Sequence, residues 1–318
     1  MGGALQISAP TLSPLDRTCF SCTKFAPDPK LHADHPRSEF PIPCRNTIGS
    51  TTTLTSALKR GQPTFGNPVM RPVFGIEFST ATQTQLVHTI ASVPVPTGTG
   101  PRLLVTTNLD HVVQLTRNAD FREAYNFAWA RTADGTPVYL FALLRRVRLP
   151  GRVTGAGVFA ELMGSIDTAS AKVFFLCGSM TTATKIRIRL IGRGFPSEHL
   201  DFEAPPFGFE RNVDYSKELA RRIRVHGTTH LILGVGAPKS EIWAHRYRNE
   251  LGDCYVLAVG AALDMFVGER WRAPPWVRRI GLEWFWRFAQ EPRRLFRRYF
   301  VDSWGFIWAV WKDLSSKK

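Results

Sequence analysis

Short apolar runs that end in a glycine, asparagine or aspartate alternate with amphipathic segments through the middle of the chain. Six runs have this form: 102–108, 127–135, 172–178, 188–194, 230–236 and 255–264. Between them lie segments with helical periodicity, such as 137–147 and 213–227. Strands that alternate with helices of about 10–15 residues imply right-handed crossovers and a parallel sheet. The pattern therefore predicts an α/β fold, a Rossmann-like parallel sheet with helices on both faces.

Composition divides the chain into three segments. Residues 1–68 are rich in Pro, Ser and Thr and have no sustained period, which predicts a flexible leader. Residues 69–268 form the predicted Rossmann-like catalytic core, and residues 269–318 form a C-terminal helical appendage rich in Arg and Trp. In the leader, Cys19-x-x-Cys22 precedes His32-x-x-His35, but the interval is shorter than in zinc fingers, so we expect no metal site.

The excess positive charge is concentrated in the appendage. The chain carries a formal net charge of +15, and residues 268–318 hold 12 basic and five acidic residues together with seven of the nine Trp. An apolar stripe recurs there at spacings of three and four, formed by Phe296, Phe300, Trp304, Ile307, Trp308 and Trp311. Such a stripe is typical of a core or a homo-oligomer contact. Flanking arginines favour the other interpretation, an amphipathic helix on an anionic membrane surface.

Cysteine usage and hydropathy constrain the compartment. Five scattered Cys favour a reducing environment over a secreted disulfide scaffold. Neither a transmembrane run nor a signal peptide is recognisable, so we expect a cytoplasmic protein.

Three loops that follow predicted strands carry candidate functional residues, because ligands of open parallel sheets bind outside the carboxyl ends of the strands. The first runs from Thr106 through Asn108 and has an Asx turn as its alternative interpretation. The second contains Asp134, where a general base would be placed. The third, Gly234–Glu241, opens a helix and favours phosphate. It is neither a Walker A loop nor a complete G-x-G-x-x-G, because Lys239 replaces the third glycine.

The sequence also lacks the Asp-x-Asp motif by which many enzymes bind a divalent metal. No Asp-x-Asp pair occurs, which disfavours a nucleotide-sugar enzyme that holds the diphosphate through a divalent metal. Arginine would supply the positive charge instead, since its planar fork can donate two hydrogen bonds to phosphate oxygens.

In order and spacing, these motifs resemble the WecG/TagA/CpsF family of bacterial glycosyltransferases, glycosyltransferase family 26. The resemblance covers about 71–298 and rests on Thr106-x-Asn108, Ala133-Asp134-Gly135, Arg152-Val153-Thr154-Gly155, Gly236-Ala237-Pro238-Lys239, Asp264, Arg272-Ala273-Pro274, and Gly281-Leu282-Glu283-Trp284 with the arginines that follow.

The resemblance implies an inverting transfer, without metal or other cofactor, from a UDP-sugar to a saccharide on polyprenyl diphosphate. It also implies that the protein is peripheral on the inner, cytoplasmic face of the bacterial cell membrane, where that acceptor is carried. It implies that Asp134 is the catalytic base and that Thr106, Asn108 and Arg152 are further catalytic residues. The implied contacts to substrate or UDP are Gly236, Pro238, Lys239, Ser240, Glu241, Asp264, Arg287, Arg294 and Arg297. Ser240 departs from the family, which has Gln there, and its shorter side chain bears on the identity or pose of the sugar.

The donor sugar stays open. The Ser240 departure favours transfer of a hexose or N-acetylhexosamine in exopolysaccharide or cell-surface polysaccharide synthesis. The alternative is a UDP-N-acetylmannosamine or uronate transferase of the teichoic acid or enterobacterial common antigen type. Two alternatives from other classes are a basic nucleic-acid-binding protein, which leaves the three loops unexplained, and a nicotinamide oxidoreductase, which lacks its complete fingerprint. We therefore expect no nucleic-acid partner.

Overall fold

A computed structural model describes residues 72–271, 273–274, 277, 283–290, 292–296 and 304–315. Within them, six parallel strands form one sheet in the order β2-β1-β6-β5-β3-β4. The strands are β1 Arg102–Thr107, β2 Ala130–Ala133, β3 Val173–Leu176, β4 Leu200–Glu203, β5 His230–Leu233 and β6 Tyr255–Ala258. The predicted α/β fold is confirmed.

Helices connect and flank these strands. They are α1 Gln83–Ser92, α2 Leu109–Arg117, α3 Ala119–Phe127, α4 Thr136–Leu144, α5 Gly155–Ser165, α6 Met180–Ile191, α7 Val213–Val225, α8 Lys239–Arg246, α9 Arg248–Leu251 and α10 Ala262–Phe266. Among the described residues after α10, the helices with given bounds are α11 Glu283–Gln290, α12 Pro292–Phe296 and α13 Trp304–Ser315.

Alternate residues of each strand supply two hydrophobic cores, one on each face of the sheet. Leu103 and Val105 of β1 belong to the first core, which α2, α3, α4, α7, α8 and α13 cover. Leu104 belongs to the second core, which α1, α5 and α6 cover. Helices thus exclude water from both faces of the sheet, which explains why these strands are continuous apolar runs in the sequence.

One predicted strand is wrong. Residues 188–194 lie mostly at the end of α6, where Leu190 is buried while Ile188 and Ile191 are exposed. That is the one-sided burial of a helix, and the helix ends at Gly192. The strand that actually follows is β4, whose sequence Leu-Asp-Phe-Glu alternates buried and half-buried residues as an edge strand does.

The strand register brings the carboxyl ends of the strands to one edge. Thr106 pairs with Thr132, Val105 with Ala258, and Ala258 with Leu233. The loops after β1, β2, β6 and β5 therefore leave the sheet side by side. We call this edge, with the loops 106–111, 134–136, 259–264 and 234–241, the loop edge. Adjacent strands lie about 4.8 Å apart, so β2 and β5 are roughly 14 Å apart along it.

The segment boundaries stay predictions. The leader 1–68, including Cys19, Cys22, His32 and His35, lies outside the described residues. Of the appendage 269–318, the structure describes α11, α12, α13 and a few residues before them.

Candidate active site

The loop after β1 presents Thr106 and Asn108. Thr106 is buried at the end of the strand. Asn108 caps α2, and its side-chain oxygen accepts a hydrogen bond from the backbone N–H of His111 at 3.1 Å. Asx capping, the alternative interpretation of this loop, is therefore present, and it fixes where the Asn108 side chain lies.

Asp134 lies next to that loop, directly after β2. Its backbone N–H donates to the carbonyl oxygen of Thr107 at 2.9 Å, which continues the pairing of the two strands. The backbone N–H of Gly155 points at Asp134 Oδ2 from 3.4 Å. The Asp134 side chain is half-buried. A carboxylate so placed is both held by the backbone and within reach of a ligand.

Arg152 and Gly155 close the other side of this site. Val153, between them, donates its backbone N–H to the carbonyl of Ala133 at 3.0 Å, so the segment runs along the end of β2. Arg152 donates to the hydroxyl of Thr136 at 2.9 Å. A Cβ added at Gly155 would lie 3.1 Å from Thr106 Oγ1, so only glycine permits this close approach without a shift.

These contacts bring four predicted residues together. Asn108 is packed against Gly135, whose added Cβ would lie 3.5 Å from the Asn108 Cα. Thr106, Asn108, Asp134 and Arg152 therefore surround the ends of two adjacent strands, although up to 46 residues of sequence separate them.

The glycine-rich loop after β5 is tightly built. The Gly234 N–H donates to the Leu176 carbonyl at 2.7 Å, and Gly236 adopts a positive φ of 85°. The Ser240 hydroxyl donates to the Gly236 carbonyl at 3.1 Å, and Ser240 is buried. Pro238 and Lys239 are half-buried, so in this conformation Lys239 rather than Ser240 faces outward.

Glu241, the last residue of the loop edge after β5, is buried. The whole residue is 1% exposed, and its Oε1 lies 3.9 Å from His111 Nε2. His111 is also buried, and its Nδ1 lies 2.6 Å from the hydroxyl of buried Tyr125. Burial, with a smaller contribution from the Asp110 carboxylate, raises the pKa of Glu241 to about 7. Desolvation also raises the pKa of Tyr125 well above its usual value.

Asp264 lies in the loop edge after β6. Its Oδ1 accepts a hydrogen bond from the Thr182 hydroxyl at 3.0 Å, and its Oδ2 pairs with Arg270 Nε at 3.1 Å. Burial, and then the Asp264 charge, raise the pKa of Cys177 to about 12, so this thiol is not a thiolate nucleophile at neutral pH. Asp264 is thereby fixed between the loops that follow β3 and β6.

The sequence profile of the glycosyl transferase WecG/TagA/CpsF family matches residues 71–318. This chain belongs to that family. Among its relatives is the N-acetylglucosaminyldiphosphoundecaprenol N-acetyl-beta-D-mannosaminyltransferase of Staphylococcus aureus strain MW2, which is 26% identical over 226 residues, covering 71% of this chain and 86% of the relative. The protein of the same name from strain NCTC 8325 matches with the same identity and coverage.

The WecG/TagA/CpsF membership makes the chain a glycosyltransferase, and the recognition made from the motifs is confirmed. It does not decide the roles of individual side chains. Nor does it favour the hexose and exopolysaccharide specificity inferred from Ser240, because the relatives are named for N-acetylmannosaminyl transfer.

One exposed residue of this glycosyltransferase was missed by the sequence interpretation. Phe207 follows β4, its side chain is 99% exposed, and the Lys239 ammonium lies 5.4 Å from its ring centre. Next to it Gly208 adopts a positive φ of 81°, and Phe209 is buried. The Pro205-Pro206-Phe207-Gly208 run was the available signal, since Pro and Gly mark a turn that holds its apolar residue outward.

Two of the three predicted appendage arginines lie in described helices. Arg287 lies in α11 and Arg294 in α12, but their side chains, like the whole of Arg297, fall outside the described residues. Their contact with substrate stays a prediction.

The helix α13 covers part of the first hydrophobic core and is also held by one carboxylate. Asp313 Oδ1 accepts the Phe74 backbone N–H at 2.8 Å, and Oδ2 lies 3.2 Å from Arg145 Nε. Both side chains are only 10% exposed. Phe74 in turn packs between Phe141 of α4 and Phe306 of α13, with ring centres 4.8 and 5.7 Å away.

The opposite face of α13 is apolar and exposed. It carries Trp304, Ile307, Trp308, Trp311 and Leu314. The part of the predicted stripe that falls in α13 is thus not core within this chain. In the part of the chain that the structure describes, no helix is both long and apolar enough to cross a bilayer.

Proposed function

We propose that this glycosyltransferase moves an N-acetylmannosaminyl-type sugar from a UDP-sugar to a saccharide carried on polyprenyl diphosphate. The observation that carries the proposal is the grouping of Asp134 with Thr106, Asn108 and Arg152 at the loop edge of a family member. The named activity of the relatives supports N-acetylmannosamine as the sugar over a hexose. It also supports N-acetylglucosaminyl diphosphate on a polyprenyl chain as the acceptor.

In the proposed reaction Asp134 is the general base. Its carboxylate takes the proton of the acceptor hydroxyl while that oxygen bonds to the anomeric carbon from the face opposite UDP. The bond from the anomeric carbon to the UDP oxygen breaks, and UDP leaves with the electron pair. One carboxylate is sufficient for this inverting displacement. Half-buried Asn108 is positioned to hydrogen-bond the reacting sugars. Thr106 is buried against Gly155 beneath them, and Arg152 supplies a positive charge beside Asp134.

The donor diphosphate gains negative charge as UDP leaves, so cations near it lower the barrier. Lys239, the first residue of α8, lies on the β5 side of the loop edge. The predicted phosphate contacts Arg287, Arg294 and Arg297 would add to it. About 14 Å separates β5 from β2, a span that suits an extended nucleotide-sugar with its reacting end at Asp134.

Phe207 and Asp264 are the residues that we place next to the nucleotide of the donor. An exposed aromatic ring held beside a lysine offers a face for stacking a base. The fixed Asp264 carboxylate can accept hydrogen bonds from donor N–H or O–H groups. Gly236 and Pro238 shape the loop, whereas Ser240 contacts the loop carbonyl. The family's Gln at position 240 would reach further, so the sugar pocket of this chain is expected to differ there.

Asp134→Asn tests the base. Transfer should be lost while UDP still binds, because the amide keeps the shape but cannot accept the proton; Asp167→Asn, an exposed loop residue, is the matched control for charge removal. Activity should also survive EDTA. Full transfer by Asp134→Asn, or a loss with chelator that added metal restores, would contradict the proposal.

We infer that the protein meets an anionic membrane surface through α13 and α4. Leu140, Leu143 and Leu144 of α4 are exposed like the tryptophans of α13. Arg146 and Arg148, just after α4, and Lys312 of α13 are exposed cations beside these apolar residues. Trp and Leu near Arg and Lys are the composition of helices that lie in the interface of anionic lipid. The protein would then be peripheral, at the cytoplasmic face of the membrane where the acceptor is carried.

Vesicle sedimentation tests this surface. Wild-type protein should sediment with phosphatidylglycerol vesicles at low salt, and Trp308→Gln with Trp311→Gln should reduce the bound fraction, whereas Val213→Gln, at an exposed apolar residue of α7, should not. Equal vesicle binding by all three proteins would contradict this surface. A wild-type dimer that these substitutions dissociate would instead assign the face to a second copy of the chain.

A further inference from the structure

A buried contact joins the two halves of the loop edge. His111 is the third residue of α2, the helix that Asn108 caps, and Glu241 is the third residue of α8, which begins at Lys239. Glu241 Oε1 and His111 Nε2 lie 3.9 Å apart. The contact therefore lies directly behind both the proposed reaction centre and the proposed phosphate loop.

The burial of both side chains favours a role in positioning the loops over a role in binding a ligand. Glu241 is 1% and His111 4% exposed, so neither side chain reaches a ligand in this conformation. Tyr125 holds the other nitrogen of the His111 ring at 2.6 Å, and Phe121 packs edge-on against that ring with centres 5.4 Å apart. A ring held on two sides can move little, so Glu241 meets a fixed partner.

The carboxyl group is also expensive to bury. Glu241 Oε2 has no hydrogen-bond partner among the described residues. Asp110 and Asp134 face the cluster with negative charge, and Arg131 with positive charge. A fully buried carboxyl with an unsatisfied oxygen lowers the free energy of unfolding. Groups of this kind concentrate at functional sites.

We propose that the Glu241–His111 contact is a positioning contact of the transfer reaction, which holds the Gly236–Lys239 loop at a fixed distance from Asn108 and Asp134. This rests on the proposed function, because it needs one substrate that spans both loops. Glu241, which the resemblance placed among the donor contacts, then acts through Lys239 instead of touching the donor.

Enzyme kinetics with matched variants test the contact. Glu241→Gln and His111→Gln should each lower kcat/KM for the UDP-sugar by roughly tenfold to 100-fold, since a misplacement of about 1 Å has that cost. The KM for the lipid-linked acceptor should change less than that for the donor. The double variant should be no worse than either single one, because both remove the same contact.

Glu250→Gln is the control. Glu250 lies in α9 and also has a buried oxygen without a partner among the described residues, but it is not next to a substrate loop. Its replacement should leave kcat/KM unchanged. Hydrogen exchange of residues 234–240 in the full chain gives a reading without activity, and exchange should rise in Glu241→Gln and not in Glu250→Gln.

The outcomes separate this inference from the proposed function. Wild-type protein that neither binds UDP nor transfers sugar overturns the proposed function and with it this role of the contact. Wild-type protein that transfers sugar, with Glu241→Gln unchanged in kcat/KM and in loop exchange, overturns the inference alone. Losses that multiply in the double variant would also overturn it.

Discussion

Glu241→Gln should make the folded protein less sensitive to alkaline pH. Burial raises the pKa of Glu241 from 4.5 to about 7, so the folded chain holds this proton more tightly than the unfolded chain does. The stability that this group contributes is complete below about pH 4.5 and is lost as pH rises through about 7. Gln is similar in size to the acid but cannot ionise, so it removes both this titrating group and the carboxylate that faces His111.

The size of the effect follows from linkage. A pKa unit corresponds to about 1.4 kcal/mol, so the shift makes the wild type lose about 2–3 kcal/mol relative to Glu241→Gln between pH 5 and pH 8. The variant should thus be the more stable protein at pH 8, although the positioning contact predicts that it is the poorer enzyme. A change in stability alone would leave the kcat/KM of the folded protein unchanged.

Urea unfolding followed by tryptophan fluorescence at pH 5, 6, 7 and 8 measures this. The difference in unfolding free energy between the two proteins is taken at each pH, so that the other titrating groups cancel. A difference that stays constant from pH 5 to pH 8 would refute the reasoning, because the Glu241 carboxyl would then titrate alike in the folded and unfolded chains.

Three further perturbations have defined outcomes. Gly234→Ala places a Cβ 2.4 Å from Leu263 Cδ1 and 3.1 Å from the Leu176 carbonyl, so it should lower the unfolding free energy by about 1–3 kcal/mol, whereas Gly164→Ala, with nothing within 4 Å, should not; equal melting temperatures would contradict this. Asp313→Ala leaves the nearly buried Arg145 without its carboxylate partner, so it should lower the unfolding free energy by about 3–5 kcal/mol and expose α13 to protease. Lys312→Ala is the control, and an unchanged cleavage pattern in Asp313→Ala would count against the described docking. Phe207→Ala should weaken UDP binding by about 1–3 kcal/mol in calorimetry if the ring stacks on the base, whereas Val213→Ala should not, and unchanged affinity would remove Phe207 from the site.

The strands were predictable where they are buried on both faces. Runs such as 172–178 and 230–236 are apolar without interruption because each face of the sheet has its own core. β4 was missed because an edge strand alternates, and 188–194 was mistaken for a strand because three branched apolar residues close together are common to both elements.

The candidate site was predictable where chemistry follows directly from position on a strand. Asp134 and Asn108 come right after strands, so the parallel sheet alone places them at one edge. The contact between His111 and Glu241 was not predictable, since it depends on how α2 and α8 pack across 130 residues of sequence. Phe207 was passed over because an apolar residue is ordinarily assigned to the core, and its exposure depends on the turn around it.

Asp313 also bears on how this chain is made. It binds Phe74, which is 239 positions earlier in the sequence, and so closes one of the longest loops in the fold. Contacts so distant in sequence are slow to form, and during synthesis the Phe74 amide and its aromatic neighbours leave the ribosome long before their partner exists. Until α13 arrives, that apolar surface is uncovered, so chains shortened before Trp304 are expected to depend on chaperones and to aggregate.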